Sequence, residues 1–171
     1  MTKTTEKRRS SSGMAMLRIV AADLALLVSP SSAIAQTAEQ NKAIVAASFA
    51  DWQAGTGSPF DLLADDASWT IEGRSAASGT YPSKTAFLRD VIGPFNARMA
   101  VGIKPAVRTI TAEADRVVVL FDAAGTARDG KPYTNSYAWF FRMEGRRVVE
   151  ANAFFDAVAF DDLWSRVAPT D

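Results

Sequence analysis

The chain of 171 residues contains no histidine and no cysteine. Without histidine, Ser-His and Cys-His mechanisms are closed, as are the common zinc and haem sites. Without cysteine there is no disulfide, thiolate nucleophile or iron–sulfur cluster. An excess of charge of one sign is also lacking. Nineteen basic residues balance 19 acidic ones, with no long basic run, which argues against nucleic acid as a partner. What remains for chemistry is carboxylates, Tyr, Lys and Arg. With 48% of residues hydrophobic, the chain can build one real core, so disorder is excluded as its main state.

The first 35 residues read differently from the rest. Lys3, Lys7, Arg8 and Arg9 precede an apolar stretch from Met14 to Val28, and Ala33-Ile34-Ala35 follows. Basic region, apolar region and small-residue site are the order of a secretory signal. Arg18 and Asp23 interrupt the apolar part, which is too short and too charged for a stable membrane span. The alternative is a basic extension on a cytoplasmic protein. The expectation is therefore a signal over 1–35, export to a periplasmic or secreted location, and a domain over 36–171 carrying 14 basic and 17 acidic residues.

Within 36–171 the pattern predicts helices first and strands afterward. Thr37 with Gln40 three residues on forms a capping box, and Ile44, Val45, Phe49 and Trp52 share one helical face as far as Ala54. Ser58-Pro59 predicts a second, short helix, Asp65-Asp66 a turn, and Ala67 to Glu72 a strand. Phe87, Leu88, Val91, Ile92, Phe95 and Met99 give an apolar stripe over a helix from Ser83 to Met99, kinked at Gly93-Pro94. From Ile103 the period becomes two, predicting strands at 103–113, 116–127, 132–143 and 147–156, then a closing helix over Val158 to Val167. This order predicts an α+β fold, a cone-shaped curved antiparallel sheet wrapped around the N-terminal helices. Apolar residues on both faces of the later strands predict a homodimer through the outer face.

Four segments carry a resemblance: Leu62-Leu63-Ala64-Asp65-Asp66-Ala67-Ser68-Trp69, Gly79-Thr80-Tyr81-Pro82-Ser83-Lys84, Gly130-Lys131-Pro132-Tyr133-Thr134-Asn135-Ser136-Tyr137 and Ala153-Phe154-Phe155-Asp156. Together with the opening helix they resemble, over nearly all of 41–165, the nuclear-transport-factor-like superfamily. It includes SnoaL-like polyketide cyclases, ketosteroid isomerase and limonene-epoxide hydrolase. The resemblance implies a SnoaL-like (cystatin-like) α+β barrel and an aspartate, Asp156, facing its cavity. Phe49 stands where the isomerase has a tyrosine donor, Glu72 is only an offset counterpart of its base, and the strand from Tyr133 to Phe141 has no Asp-x-Arg pair. Neither specific activity is implied.

Alternation along the last strand groups Glu150, Asn152, Phe154 and Asp156 on one face, read as the pocket wall. On the neighbouring strand Tyr133, Asn135, Tyr137 and Trp139 share a face. The candidate site is thus Asp156 as proton carrier, with Asn135, Tyr137, Tyr133, Trp69, Asn152 and Phe154 as binding residues. For Asp156 the competing reading is a carboxylate that bonds Asn135 or Tyr137, or caps the segment beginning at Ala157. Glu72 reads as a solvated strand end paired with Arg74, and Asp65-Asp66 and Asp161-Asp162 as solvated turns rather than a metal site. No cofactor or metal is expected. Three functions stay open: a cofactor-independent isomerase, lyase or hydrolase of a small hydrophobic molecule, a binding protein with the same cavity, and an interaction module whose cone is filled by its own side chains.

Overall fold

The computed structural model describes residues 1–2 and 37–170, and all regular elements lie in the compact unit Ile34–Asp171. Apart from residues 1–2, the segment expected to be an export signal therefore lies outside the described residues. Helix α1 (Ala38–Ala54) starts on the Thr37–Gln40 capping box and ends at Gly55, whose φ of 82° is the left-handed conformation that glycine adopts without strain. Ser58 and Asp61 form a second capping box around a 3-10 turn, Pro59–Leu62. Strand β1 (Leu63–Ile71) follows without a break, so Asp65 and Asp66 are exposed strand positions rather than the expected turn.

A three-residue strand, β2 (Gly79–Tyr81), pairs with β1 and was too short to leave a period in the sequence. The long helix expected over Ser83 to Met99 is three pieces: α2 (Lys84–Phe87), a π-helical turn (Leu88–Ile92) and α3 (Gly93–Asn96). The wide turn accommodates Pro94, which has no N–H, and the Gly93 N–H reaches back five residues to the Leu88 carbonyl. Strands β3 (Met99–Glu113), β4 (Arg116–Ala127), β5 (Pro132–Glu144) and β6 (Arg147–Phe155) form the meander, and α4 (Ala157–Arg166) closes the fold.

The described residues form a six-stranded open sheet in the order β2-β1-β6-β5-β4-β3. It is mixed rather than wholly antiparallel, because β6 lies parallel to β1. Between β1 and the meander the chain passes through β2 and the helical turns, a connection long enough to bring β6 back alongside β1 in the same direction. The outer strand β3 carries Pro105 and three register shifts, features that blunt an exposed edge.

The inner face is strongly aromatic. Val117, Val119 and Phe121 on β4, and Trp139 and Phe141 on β5, pack under Val45 and Phe49 of α1. Phe49 meets Phe121 and Trp139 edge-on at 4.9 and 5.7 Å, and Trp69 stacks on Phe87 at 4.2 Å. Edge-on and offset contacts of this kind add to area burial. At the far end the buried Arg98 guanidinium lies 4.0 Å over the Trp164 ring of α4 and bonds the Pro94 carbonyl at 2.8 Å. No helix among the described residues is long and apolar enough to cross a membrane.

Candidate functional site

A cavity of about 270 Å³ opens between the sheet and the helical turns. Its sheet wall is Trp69 and Ile71 of β1, Tyr137 and Trp139 of β5, and Ala153 and Phe155 of β6. Phe87, Val91, Ile92, Phe95 and Asn96 from the α2–α3 region form the opposite wall, and Phe160 of α4 closes one side. Trp52, Ser58, Phe60, Gly102 and Ile103 complete it. Among the described residues the wall holds no carboxylate, lysine or arginine, and its polar side chains are the Tyr137 phenol, Ser58, Asn96 and the indoles of Trp52, Trp69 and Trp139.

The β6 strand presents the side opposite to the one expected. Ala151 and Ala153 are buried and Phe155 lines the cavity, whereas Glu150 and Asn152 are half-buried on the outer face and Phe154 is 49% exposed. Cross-strand volume explains this. Ala151 is the register partner of Trp69 on one side and Phe141 on the other, and Ala153 of Ile71 and Trp139. Between such large neighbours only small side chains fit inside. Outward, Glu150 pairs with Arg142 at 3.1 Å, Asn152 donates to Glu72 at 3.0 Å, and Phe154 packs against Phe140. Glu72 thus bonds Asn152 rather than the expected Arg74.

Asp156 is likewise exposed, which corrects the expectation that it faces the enclosed space. It is the N-cap of α4, where its Oδ1 accepts from the Val158 and Ala159 N–H groups at 2.9 and 3.3 Å. A carboxylate there satisfies orphan donors and complements the positive end of the helix. Asp156 also borders a second, open and polar recess of about 350 Å³ with Lys104, Asp122, Thr134 and Ser136.

On β5 the alternation places Tyr133, Asn135 and Tyr137 inward, all three buried. They form one chain of hydrogen bonds. Asn135 Oδ1 accepts from the Asp156 N–H at 2.9 Å, and its Nδ2 donates to the Asp156 carbonyl and to the Tyr133 hydroxyl, both at 3.0 Å. Tyr133 and Tyr137 hydroxyls are 3.0 Å apart. Of these residues Tyr137 lines the apolar cavity, while Asn135 borders the polar recess. Burial pushes the Tyr137 phenol well above its ordinary value, aided by the neighbouring Tyr133. Burial also raises Tyr133, against the lowering effect of its two hydrogen bonds. Both therefore stay protonated at neutral pH and act as hydrogen-bonding groups rather than anions.

Trp69 sits in the cavity wall, as a binding residue would, and its buried indole N–H has no partner among the described residues. Sequence reasoning missed Phe155, Ala153 and the whole α2–α3 contribution to the wall. Phe155 was discoverable, since it alternates with two alanines that flank tryptophan-bearing strands.

Residues 38–151 match the SnoaL-like domain profile. No curated protein sequence matches the chain. Among solved structures, Bal32a from a soil-derived mobile gene cassette is 25% identical with a TM-score of 0.62, over 74% of this chain and 98% of that one. An NTF2-like protein of unknown function from Burkholderia pseudomallei is 22% identical with a TM-score of 0.57, over 73% and 97%. TerC, co-crystallized with polyporic acid, is 21% identical with a TM-score of 0.58, over 72% and 97%.

Proposed function

The chain belongs to the SnoaL-like family, and from that premise we propose that it binds one small, uncharged, hydrophobic molecule in the cavity between sheet and helices. The observation that carries this reading is the composition of the wall, which is aromatic and aliphatic with no charged side chain among the described residues. An ion entering such a space would lose its hydration without gaining a counter-charge, at a cost of several kcal/mol or more, roughly. A neutral apolar molecule loses nothing comparable and gains burial. Acid–base catalysis by a carboxylate is less well supported, because Asp156 caps α4 outside the cavity and no acid among the described residues borders it. The fold is common to both readings, and the uncharged wall favours the first.

The test is titration with 2-ethylnaphthalene, a neutral probe, followed by tryptophan fluorescence, since Trp52, Trp69 and Trp139 border the space. Saturable one-to-one quenching is expected in the wild type, with affinity falling in Ala153→Leu, which adds bulk to the wall. Linear, unsaturable quenching, or identical curves for the two proteins, would overturn the reading.

We also propose that the outer sheet face pairs with a second copy of the chain. Phe140 and Phe154, 40% and 49% exposed, meet at 5.8 Å in the middle of that face. Around them lie both signs of charge, Arg108 with Asp122 and Arg142 with Glu144 and Glu150. A patch with an apolar centre and a rim of mixed sign is complementary to itself under a two-fold rotation.

A further inference from the structure

We propose that the cavity presents its ligand with a hydrogen-bond donor, the Tyr137 phenol, and so selects hydrophobic molecules bearing a neutral oxygen acceptor such as a ketone. This rests on the binding reading above and assigns the chemistry of its polar point. The direction of each hydrogen bond in the Asn135–Tyr133–Tyr137 chain follows from the backbone at Asp156. That backbone offers an N–H and a carbonyl, and the Asn135 amide faces both. Only one orientation of the amide meets both, with Oδ1 on the N–H and Nδ2 on the carbonyl. An amide flip, ordinarily ambiguous, would put donor against donor and acceptor against acceptor.

With Nδ2 fixed, its contact with Tyr133 at 3.0 Å makes the Tyr133 oxygen an acceptor there. Tyr133 has one proton of its own, and its other partner among the described residues is the Tyr137 oxygen at 3.0 Å. When Tyr133 donates to Tyr137, both bonds of the Tyr133 hydroxyl are made and only the Tyr137 proton is without a partner among the described residues. The reverse direction would leave the Tyr133 proton buried beside no acceptor, since Tyr133 is 2% exposed and borders neither recess. Such an orphaned donor is costly. The Tyr137 proton is then the one left over, and Tyr137 is the residue of the chain that lines the apolar cavity. Burial holds both phenols protonated, so the donor is retained across neutral pH. Asn135 acts at one remove, as a positioning residue: its amide turns Tyr133 and, through it, Tyr137.

The test compares two neutral probes of nearly the same shape, 2-acetylnaphthalene and 2-ethylnaphthalene, with the full chain. In the wild type the ketone should bind roughly two- to tenfold tighter than the hydrocarbon, the worth of one added hydrogen bond. Its carbonyl stretch in the infrared should fall on binding. In Tyr137→Phe the ratio of the two affinities should collapse toward one and the shift disappear. In Asn135→Asp an acceptor replaces Nδ2 and draws the Tyr133 proton, so the stretch should return toward its unbonded value. Equal affinities with an unshifted stretch in the wild type, or a shift that survives in Tyr137→Phe, would overturn the proposal while leaving the binding reading intact. A shift unchanged in folded Asn135→Asp would overturn the assigned direction. Binding of neither probe would sink the binding reading itself. Should Asn135→Asp fail to fold, the Tyr137→Phe comparison decides the matter.

Discussion

The side-chain amide of Asn135 bonds both backbone polar groups of Asp156, accepting from the N–H at 2.9 Å and donating to the carbonyl at 3.0 Å. It thereby imitates the next pairing of the β5–β6 ladder, beyond Tyr137↔Phe155, at the point where β6 turns into α4. The same Asp156 begins α4 by capping it. Two residues thus convert a strand into a helix with few backbone groups left unpaired.

Asn135→Ala is expected to destabilise the fold by about 2–4 kcal/mol, since it leaves a partly buried backbone pair and the Tyr133 hydroxyl without partners. Asp156→Ala removes a helix cap and should cost only about 1 kcal/mol, with Asp156→Ser recovering most of that. Urea unfolding of the three variants checks the ranking. If Asp156→Ala proved the costlier change, the junction would depend on the cap rather than on the amide.

The three tyrosines, Tyr81, Tyr133 and Tyr137, all have their phenols raised, in each case first by burial. In the unfolded chain they ionise near pH 10. Above that pH the unfolded state binds fewer protons than the folded state, so stability must fall as pH rises through 10 toward the folded values. Below pH 10 both states are protonated and these groups contribute no slope. Absorbance of tyrosinate at 295 nm should therefore appear late in the folded protein, and denaturant midpoints should start to drop as pH rises past 10. Replacing Tyr137 by Phe should flatten that drop. Ordinary titration of all three near pH 10 in folded protein would contradict the burial argument.

Much of the fold was legible in the sequence because its signals are local. The Thr37–Gln40 box, the helix ending at Gly55 and the period-two runs of β3 to β6 need no knowledge of distant residues. The parallel placement of β6 beside β1 was not legible, because it depends on where a crossover returns. Nor was the inward side of β6. Alternation says that Ala151 and Ala153 share a face and that Glu150, Asn152 and Phe154 share the other, but the choice between faces is made by neighbours. Trp69, Phe141 and Trp139 fill the interior beside the alanines, and Arg142 and Glu72 wait outside for the polar groups. Reading polar residues as a pocket wall reversed the strand and carried Asp156 with it. On β5 the same rule succeeded, since Trp139 and Phe141 outweigh Phe140 for the interior.

Gly125 on β4 tests how tightly the edge strand is seated. A Cβ there would come within 2.6 Å of the Val101 carbonyl oxygen and 2.9 Å of the Met99 methyl. The first of these is backbone, in the region where β3 shifts register on either side of Val101. Gly125→Ala should therefore cost about 1–3 kcal/mol by overpacking, despite the better strand propensity of alanine. Denaturant unfolding with an unchanged slope and a lower midpoint is the expected result. A neutral or stabilising effect would mean that β3 can move off at little cost.

The proposed pairing of outer faces makes a separate prediction. In Phe140→Asp or Phe154→Asp a carboxylate replaces an exposed ring, so the fold of one subunit keeps its core while the apolar centre of the face is lost. Placing two such charges against each other across a two-fold axis adds repulsion to the lost contact. Sedimentation equilibrium should give twice the single-chain mass for the wild type and one chain for either variant, with thermal unfolding of the wild type rising with protein concentration. Replacing Val101, which is 59% exposed and stands on β3 at the sheet's edge, should leave the assembly unchanged. A wild type that sediments as one chain at all concentrations would exclude the pairing, and the exposed Phe140–Phe154 pair would then have to be explained by another partner.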